Sequence, residues 1–338
     1  MKNKIECPYC DGNADLHREA KEITYRKEMF KIISHFYRCE KCAEEFTTTE
    51  ADTISLIQVH NQYREKNNIP FPEEIAGIRQ KYELSASKMS EVLGLGANGY
   101  SNYENGEIPT PAYGNLISAA AELYTFMNLL EKAKEHFSSN AFNKAKERVA
   151  YLIRTADKNK NLVAAMNVYG QANNFTGYKK PEPAKIANLV TYFIRRSKPD
   201  FNDKLKLNKQ LFFTDFTHYK NYGASISGLS YRAIKYGPVP ANYDNIYAYL
   251  ENEQLIGSQF LRLSNGGARE ILFSEADFDK TLFSQQELET IEAIVARFAN
   301  IPTWDIVELS HQEKAWKELE ANRALIGYQD YAFELKTL

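Results

Sequence analysis

The sequence predicts a multidomain chain, mainly helical with an α+β part, and three observations predict it. All four cysteines fall within the first 42 of 338 residues, as two Cys-x2-Cys pairs. A run of short amphipathic helix patterns punctuated by glycine follows. The second half alternates helical stripes with one strong hairpin signal, Asn265-Gly266-Gly267. A chain of this length exceeds what one core usually serves. The expected divisions are a ribbon over 1–50, a bundle of short helices over 67–130, a basic helical connector and linker over 131–183, and a mostly helical domain over 184–338 with a small β-hairpin sheet.

Composition narrows the class. Hydrophobic residues make up 43% and charged residues 25%, the ordinary balance of a globular protein. No run of eighteen apolar residues suggests a membrane span, and "MKNKIECPYC" has no apolar core of a secretory signal, so a cytoplasmic protein with no membrane partner is expected. Net charge is −2, yet residues 135–180 carry about five net positive charges. A strong non-specific polyanion binder would look different.

Each of the pairs Cys7-x2-Cys10 and Cys39-x2-Cys42 can turn two thiolates toward one ion, and two such turns complete a tetrahedron around zinc. The competing reading is two disulfides, which would need an oxidising compartment that no export signal supports. Four thiolates leave no open coordination position, so the expectation is one structural Zn2+ per chain. The stretch "ITYRKEMFKIISHFYRCEKC" alternates as strands pairing in a ribbon do, and His17 and His35 read as surface or strand residues beside an already complete ligand set.

The next segment reads as short helices. Pro72 with Glu73 and Glu74 suits a first helical turn, and Ile75, Ile78 and Tyr82 form one apolar face. Ser85 is the expected N-cap of a second helix bearing Met89, Val92 and Leu93. Gly94 to Gly96 make a turn, and a third helix is expected from near Ala97 to Gly106, with Tyr100 and Tyr103 on one side. A fourth starts around Tyr113. Short helix, glycine turn, short helix fits a DNA-binding helix-turn-helix, and it also fits any small helical bundle. The residues Tyr100-Ser101-x-Tyr103-Glu104-x-Gly106 resemble the recognition-helix end of Xre/Cro-type repressors. That resemblance leaves Ala97, Asn98, Ser101, Asn102 and Asn105 facing base edges. Asn can bond bidentately to adenine, and phosphate contacts fall to Lys88, Arg79 or the basic middle.

A four-cysteine ribbon directly ahead of such a helix-turn-helix resembles the MqsA (YgiT-type) family of antitoxins over roughly residues 5–130. The resemblance implies a structural zinc domain that also serves toxin contact, and a helix-turn-helix homodimer repressing its own operon. Asn98 matches the Asn of the family's reading helix, but position 102 is Asn where the family carries Arg, so the family's operator is not carried over.

Residues 130–170 are helix-permissive, with Phe142, Val149, Leu152 and Ile153 as a broken stripe and Lys144, Lys146, Arg148, Arg154, Lys158 and Lys160 supplying charge. A solvated connector is the favoured reading, a phosphate-contacting or dimerising arm the alternative. "GQANNFTGYKKPEP" (170–183) reads as a linker.

Beyond it, "AKIANLVTYFIRRS" and "KLNKQLFFTDFTHYKNYG" read as helices, and further helices are expected at about 284–299 and 303–311. "LNKQLFFTDF", "ISGLSYRAIKYGPVP" and "IPTWDIVELSHQEKAW" together resemble the Panacea (SocA-like) domain, which implies a toxin-neutralising module and not an enzyme. Gly237 to Pro240 read as a stiff loop presenting its neighbours, so Tyr236, Pro238, Pro240 and Tyr243 are the candidate partner contacts. Asp215, His218 and His311 are expected to hold loops by buried hydrogen bonds, since no motif places a nucleophile. The expected partners are a toxin, operator double-stranded DNA and a second copy of the chain. The alternative is a transcriptional regulator whose C-terminal domain is a sensor or a protease adaptor, with no toxin.

Overall fold

The alternation before Cys39 folds into a long hairpin. The computed structural model describes residues 1–166, 171–262 and 268–337, with 156–166 as backbone alone. Strands β1 (Lys4–Glu6), β2 (Asn13–Tyr25), β3 (Glu28–Cys39) and β4 (Glu45–Phe46) form one antiparallel sheet in the order β1-β2-β3-β4. Tyr25 pairs with Glu28 across a two-residue turn, Arg26-Lys27, both at positive φ (48° and 71°). That is the turn whose twist suits a hairpin, here without the usual Asn-Gly signature. Helix α1 (Thr49–Lys66) follows.

The chain divides into two compact units, Met1–Val59 with Leu162–Leu338, and His60–Asn161.

The second unit is a helical bundle: α2 (Pro72–Lys81), α3 (Ala86–Leu93), α4 (Gly99–Glu104), α5 (Pro111–Ala119), α6 (Leu123–Lys132) and α7 (Ser139–Met166). Ser85 caps α3 by accepting from the Lys88 N–H, and Gly94 ends it in the left-handed conformation (φ 65°). The third helix starts two residues later than the sequence suggested, with Asn98 as its N-cap. Ile75, Tyr82, Met89, Leu93, Tyr100 and Ile117 share one core with Phe142, Ala145 and Val149. The expected connector therefore belongs to the bundle as far as Val149. Its lysines point outward while every third or fourth residue points in, so a charge run here marks the outer face of a packed helix. The expected charges at Lys158 and Lys160 lie outside the described side chains.

In the first unit, α8 (Pro183–Arg196) and α9 (Lys204–Tyr222) lead into hairpin β5 (Tyr231–Ile234) and β6 (Gly237–Pro240), then α10 (Tyr243–Asn252). A second hairpin, β7 (Gly257–Arg262) with β8 (Ala268–Phe273), precedes α11 (Gln285–Phe298), α12 (Thr303–Gln312), α13 (Lys314–Leu319) and α14 (Tyr328–Tyr331). The expected Asn265-Gly266-Gly267 turn falls outside the described residues. Every residue of α9 from Lys206 to Tyr219 is buried, the mark of a helix packed on all sides.

Two expectations differ from this unit. Residues 171–183, read as a linker, are packed: Asn173 and Thr176 form a capping box, Tyr178 is buried, and Lys179 is buried against Glu287, 2.7 Å away. The Gly237–Pro240 loop is a strand, buried along its whole length. Its prolines pair opposite Tyr231 and Ala233 in a two-stranded hairpin, where a missing N–H leaves no ladder bond broken.

The long hairpin of the first unit is tied to the same core. Gln58 on α1 donates from Nε2 to the Ile33 carbonyl (2.9 Å) and accepts at Oε1 from the Ile33 N–H (2.8 Å). Gln329 Nε2 donates to the same Oε1 (2.8 Å), and Tyr219 on α9 donates to Gln329 Oε1 (2.8 Å). His35 on β3 is buried edge-on against Phe333, with ring centroids 5.4 Å apart.

Candidate metal centre, nucleic-acid face and partner face

Cys7 and Cys10 flank the turn after β1, and Cys39 and Cys42 flank the end of β3. The register Ala14–Cys39 brings the two turns side by side. All four Sγ atoms lie within 4.8 Å of one another, with Cys7 to Cys42 at 3.8 Å and Cys10 to Cys39 at 3.5 Å. Metal–sulfur bonds of about 2.3 Å give a tetrahedron with edges of about 3.8 Å, so the residues fit a four-thiolate ion. The environment favours thiolates unevenly. The Cys42 N–H and, after the opposing effect of burial, the Lys41 N–H pull Cys39 down to about 6. At Cys42 the Glu44 amide favours the thiolate, but burial and the sulfurs of Cys39, Cys10 and Cys7 outweigh it and push the thiol up to about 12. A divalent cation removes that conflict. Gly12 leaves room for the cluster: a Cβ there would lie 3.1 Å from Cys39 Sγ and 3.2 Å from Cys10 Sγ.

On α4, Tyr100 and Tyr103 are buried, and Tyr100 OH donates to the Ile75 carbonyl at 2.7 Å. Arg79 Nε reaches Glu104 Oε1 at 2.6 Å, locking α4 to α2. The opposite face carries Asn98, Asn102 and Asn105 exposed and Ser101 half-buried. The structure thus brings the four candidate readers onto one side of a short, well-anchored helix. Two of the cations expected to reach phosphates are engaged within the protein. Arg79 is committed to Glu104 and the Leu84 carbonyl, and Lys88 Nζ to Glu91 and the His136 carbonyl.

In the C-terminal part, Asp215 is fully buried. It accepts from the N–H groups of Ile226 and Ser227 (both 2.8 Å), the Ser227 hydroxyl and the Tyr231 hydroxyl (2.7 Å). His218 bonds Thr290 Oγ1 through Nδ1 at 3.0 Å, and burial with the Lys179 charge lowers it to about 3. Both residues fasten loops and neighbouring helices, and they do not pair with each other. Of the candidate partner contacts, Tyr236 is exposed (46%) and Tyr243 half-buried, whereas Pro238 and Pro240 are buried. Tyr236 meets Trp304 (58% exposed) edge-to-face, with centroids 6.1 Å apart.

The family model described as the antitoxin component of bacterial toxin-antitoxin systems, MqsA, matches residues 5–134. Antitoxin MqsA of Escherichia coli (strain K12) is 32% identical over 108 residues, covering 30% of this chain and 80% of that relative. The chain belongs to the MqsA antitoxin family. The family model described as antitoxin SocA-like, Panacea domain, matches residues 207–317. The MqsA-type match covers the four-cysteine sheet and the helical bundle as far as the start of the short turn after α6. The Panacea-type match covers α9 through most of α13.

Sequence reasoning missed several residues of this MqsA-family chain. Trp304 carries no motif of its own; its neighbours Thr303 and Ile306 form the buried side of α12 and leave it outside. Gln58, Lys179 and Glu287 carried no local signal, because their partners stand 25 to 271 residues away.

Proposed function

We propose that the chain is an antitoxin that neutralises a toxin by direct protein binding through its C-terminal domain and represses its own operon through the helix-turn-helix. What supports this most is one observation: a single chain carries matches to two antitoxin families, over 5–134 and over 207–317. In this reading the ion held by Cys7, Cys10, Cys39 and Cys42 is structural zinc, fixing the turns of the sheet. Helix α4 enters the major groove of operator DNA, Asn98 pairs with adenine, and Ser101, Asn102 and Asn105 contact neighbouring bases. A homodimer presents two such helices to two half-sites. Lys88 reaches a phosphate only by leaving Glu91. The toxin contact centres on the exposed rings of Tyr236 and Trp304 and includes the half-buried Tyr243, not the buried Pro238 and Pro240. No chemistry is done by this chain, which works in the cytoplasm.

The test is growth rescue by the full-length chain against the small protein of the adjoining reading frame. Two aromatic anchors at an interface centre contribute about 2 kcal/mol or more each. The double variant Tyr236→Ala/Trp304→Ala is expected to lose rescue while still binding its operator. Full rescue by that variant, with loss on substitution in the sheet of residues 4–46, moves the toxin contact to the other antitoxin module. An adjoining frame without effect on growth removes the antitoxin reading and leaves a regulator.

A further inference from the structure

The three sequence blocks that distinguish the C-terminal domain meet at one buried point. Lys209 comes from "LNKQLFFTDF", Gly237 from "YGPVP", and Ser310, His311 and Trp316 from "IPTWDIVELSHQEKAW". Lys209 has no exposed surface and its Nζ has no hydrogen-bond partner; His311 Nε2 is also buried and unpartnered. Gly237 (φ 92°) closes over them: a Cβ there would lie 2.5 Å from Lys209 Cε and 2.3 Å from Ser310 Oγ. Trp316 stacks on the His311 ring at 3.9 Å and is pinned by its Nε1 donating to the Ile234 carbonyl at 2.8 Å.

Among the described residues, the buried lysines Lys179, Lys185 and Lys206 of this unit are matched. Lys206 Nζ donates to the carbonyls of Ala299 and Ile301, and Lys179 and Lys185 share Glu287. Lys209 is different. Burial lowers it to about 7, and Asp203, which pulls the other way, already serves the Lys206 N–H and the Thr303 hydroxyl. An unmatched buried ammonium costs several kcal/mol, a cost that Met or Leu at this position would not carry. A buried ammonium without an acceptor, next to a buried imidazole nitrogen without a partner, points to a group supplied from outside.

We propose that Lys209 and His311 form a receptor for one carboxylate group, supplied by an acidic side chain of the protein partner docked on Tyr236 and Trp304. This rests on the reading that the C-terminal domain holds a partner protein at that pair. A monoanion is favoured over a phosphate dianion because Glu308 and Glu320 also act on His311 and Asp203 acts on Lys209. The site adjoins the exposed pair on two elements. Tyr236 precedes Gly237 directly, and Trp304 and His311 stand seven residues apart on α12, on one face and about 10.5 Å apart along the axis. His311 is itself half-buried, so its ring reaches the surface although Nε2 does not.

The experiment follows the Lys209 side-chain resonance in full-length protein labelled at lysine Cε, assigned by its loss in Lys209→Met, with acetate and inorganic phosphate as probes. Acetate is expected to shift that resonance saturably and raise its titration midpoint, with phosphate much weaker. In the toxin arm, Lys209→Met is expected to weaken toxin binding about 30-fold or more, while His311→Gln, which keeps a donor near Nε2, retains most of it. A Lys209 resonance unmoved by acetate overturns the receptor. So does Lys209→Met protein that melts higher than the parent and binds toxin equally well, the result expected if ordered water alone serves the ammonium. A response to acetate with toxin binding unchanged in Lys209→Met assigns the carboxylate to a free small acid and overturns the partner assignment. Loss of toxin binding in Tyr236→Ala/Trp304→Ala with an intact acetate response supports both readings, whereas unchanged binding there defeats the docking reading separately.

Discussion

Replacing Glu287 by Gln removes one charge from a buried triad and little else. The carboxylate takes Lys179 Nζ at 2.7 Å and Lys185 Nζ at 3.0 Å, and all three side chains are at least nine-tenths buried. Glu287 also closes the capping box of α11 by accepting from the Ser284 N–H at 2.8 Å, which Gln can still do. Burial alone would raise the carboxyl, but Lys179 and then Lys185 outweigh it and hold it at about 2, against 4.5 for a free side chain. A depressed carboxyl stabilises the fold above its unfolded value and loses that contribution as pH falls through the folded one. Integrating between those values gives about 3 kcal/mol at pH 7 and roughly half that at pH 3. Glu287→Gln should therefore cost about 3–5 kcal/mol at pH 7, because two ammonium groups are left without a counter-charge. Urea unfolding followed by tryptophan fluorescence reads this unit alone, since Trp304 and Trp316 are the two tryptophans of the chain. The deficit relative to the parent should shrink by about 1–2 kcal/mol between pH 7 and pH 3. A cost below about 1 kcal/mol, or a deficit that grows on acidification, would refute the reasoning.

Three further outcomes are expected. Asn98→Ala should weaken operator binding by about 1–3 kcal/mol in a gel-shift titration and leave toxin neutralisation unchanged; equal operator affinity removes Asn98 from the reading face. Purified protein should contain about one zinc per chain, and Cys39→Ser should lose it with a melting transition shifted down; a metal-free chain of full stability would end the zinc assignment. Gly223→Ala should destabilise the first unit by about 2 kcal/mol, since it adopts φ 75° and an added Cβ would lie 2.3 Å from Ile57 Cγ2; an unchanged urea midpoint would show that α1 yields freely there.

The cysteine pairs and helix ends were legible because their causes are local. Two Cys-x2-Cys turns need only their own spacing, and Ser85 and Gly94 act within one helical turn of themselves. What the chain did not announce depends on distant partners. Residues 171–183 have the composition of a linker, and they are packed because Glu287 waits for Lys179 across 108 residues. The basic run after 139 hid its core-facing Phe142, Ala145 and Val149 among more numerous outward charges. "GPVP" suggested a loop because proline usually interrupts strands, and a two-stranded hairpin is the setting where it does not. At the candidate sites, the four-cysteine cluster was readable residue by residue. The exposed face of α4 was readable in outline, while the engagement of Lys88 with His136 needed the fold.

The Gln58–Gln329 bond sets an order of events during synthesis. The two residues are separated by 271 positions, so at about 5–20 residues per second a ribosome delivers Gln329 roughly 15–50 seconds after Gln58. Throughout that interval His35 lacks Phe333, which later covers it, and Gln58 lacks its bond from Gln329. A chain interrupted before Gln329 carries its cysteine sheet without that brace and leaves Tyr219 without its acceptor. Completion of the first unit thus waits on residues 329 and 333, which close contacts begun near position 35.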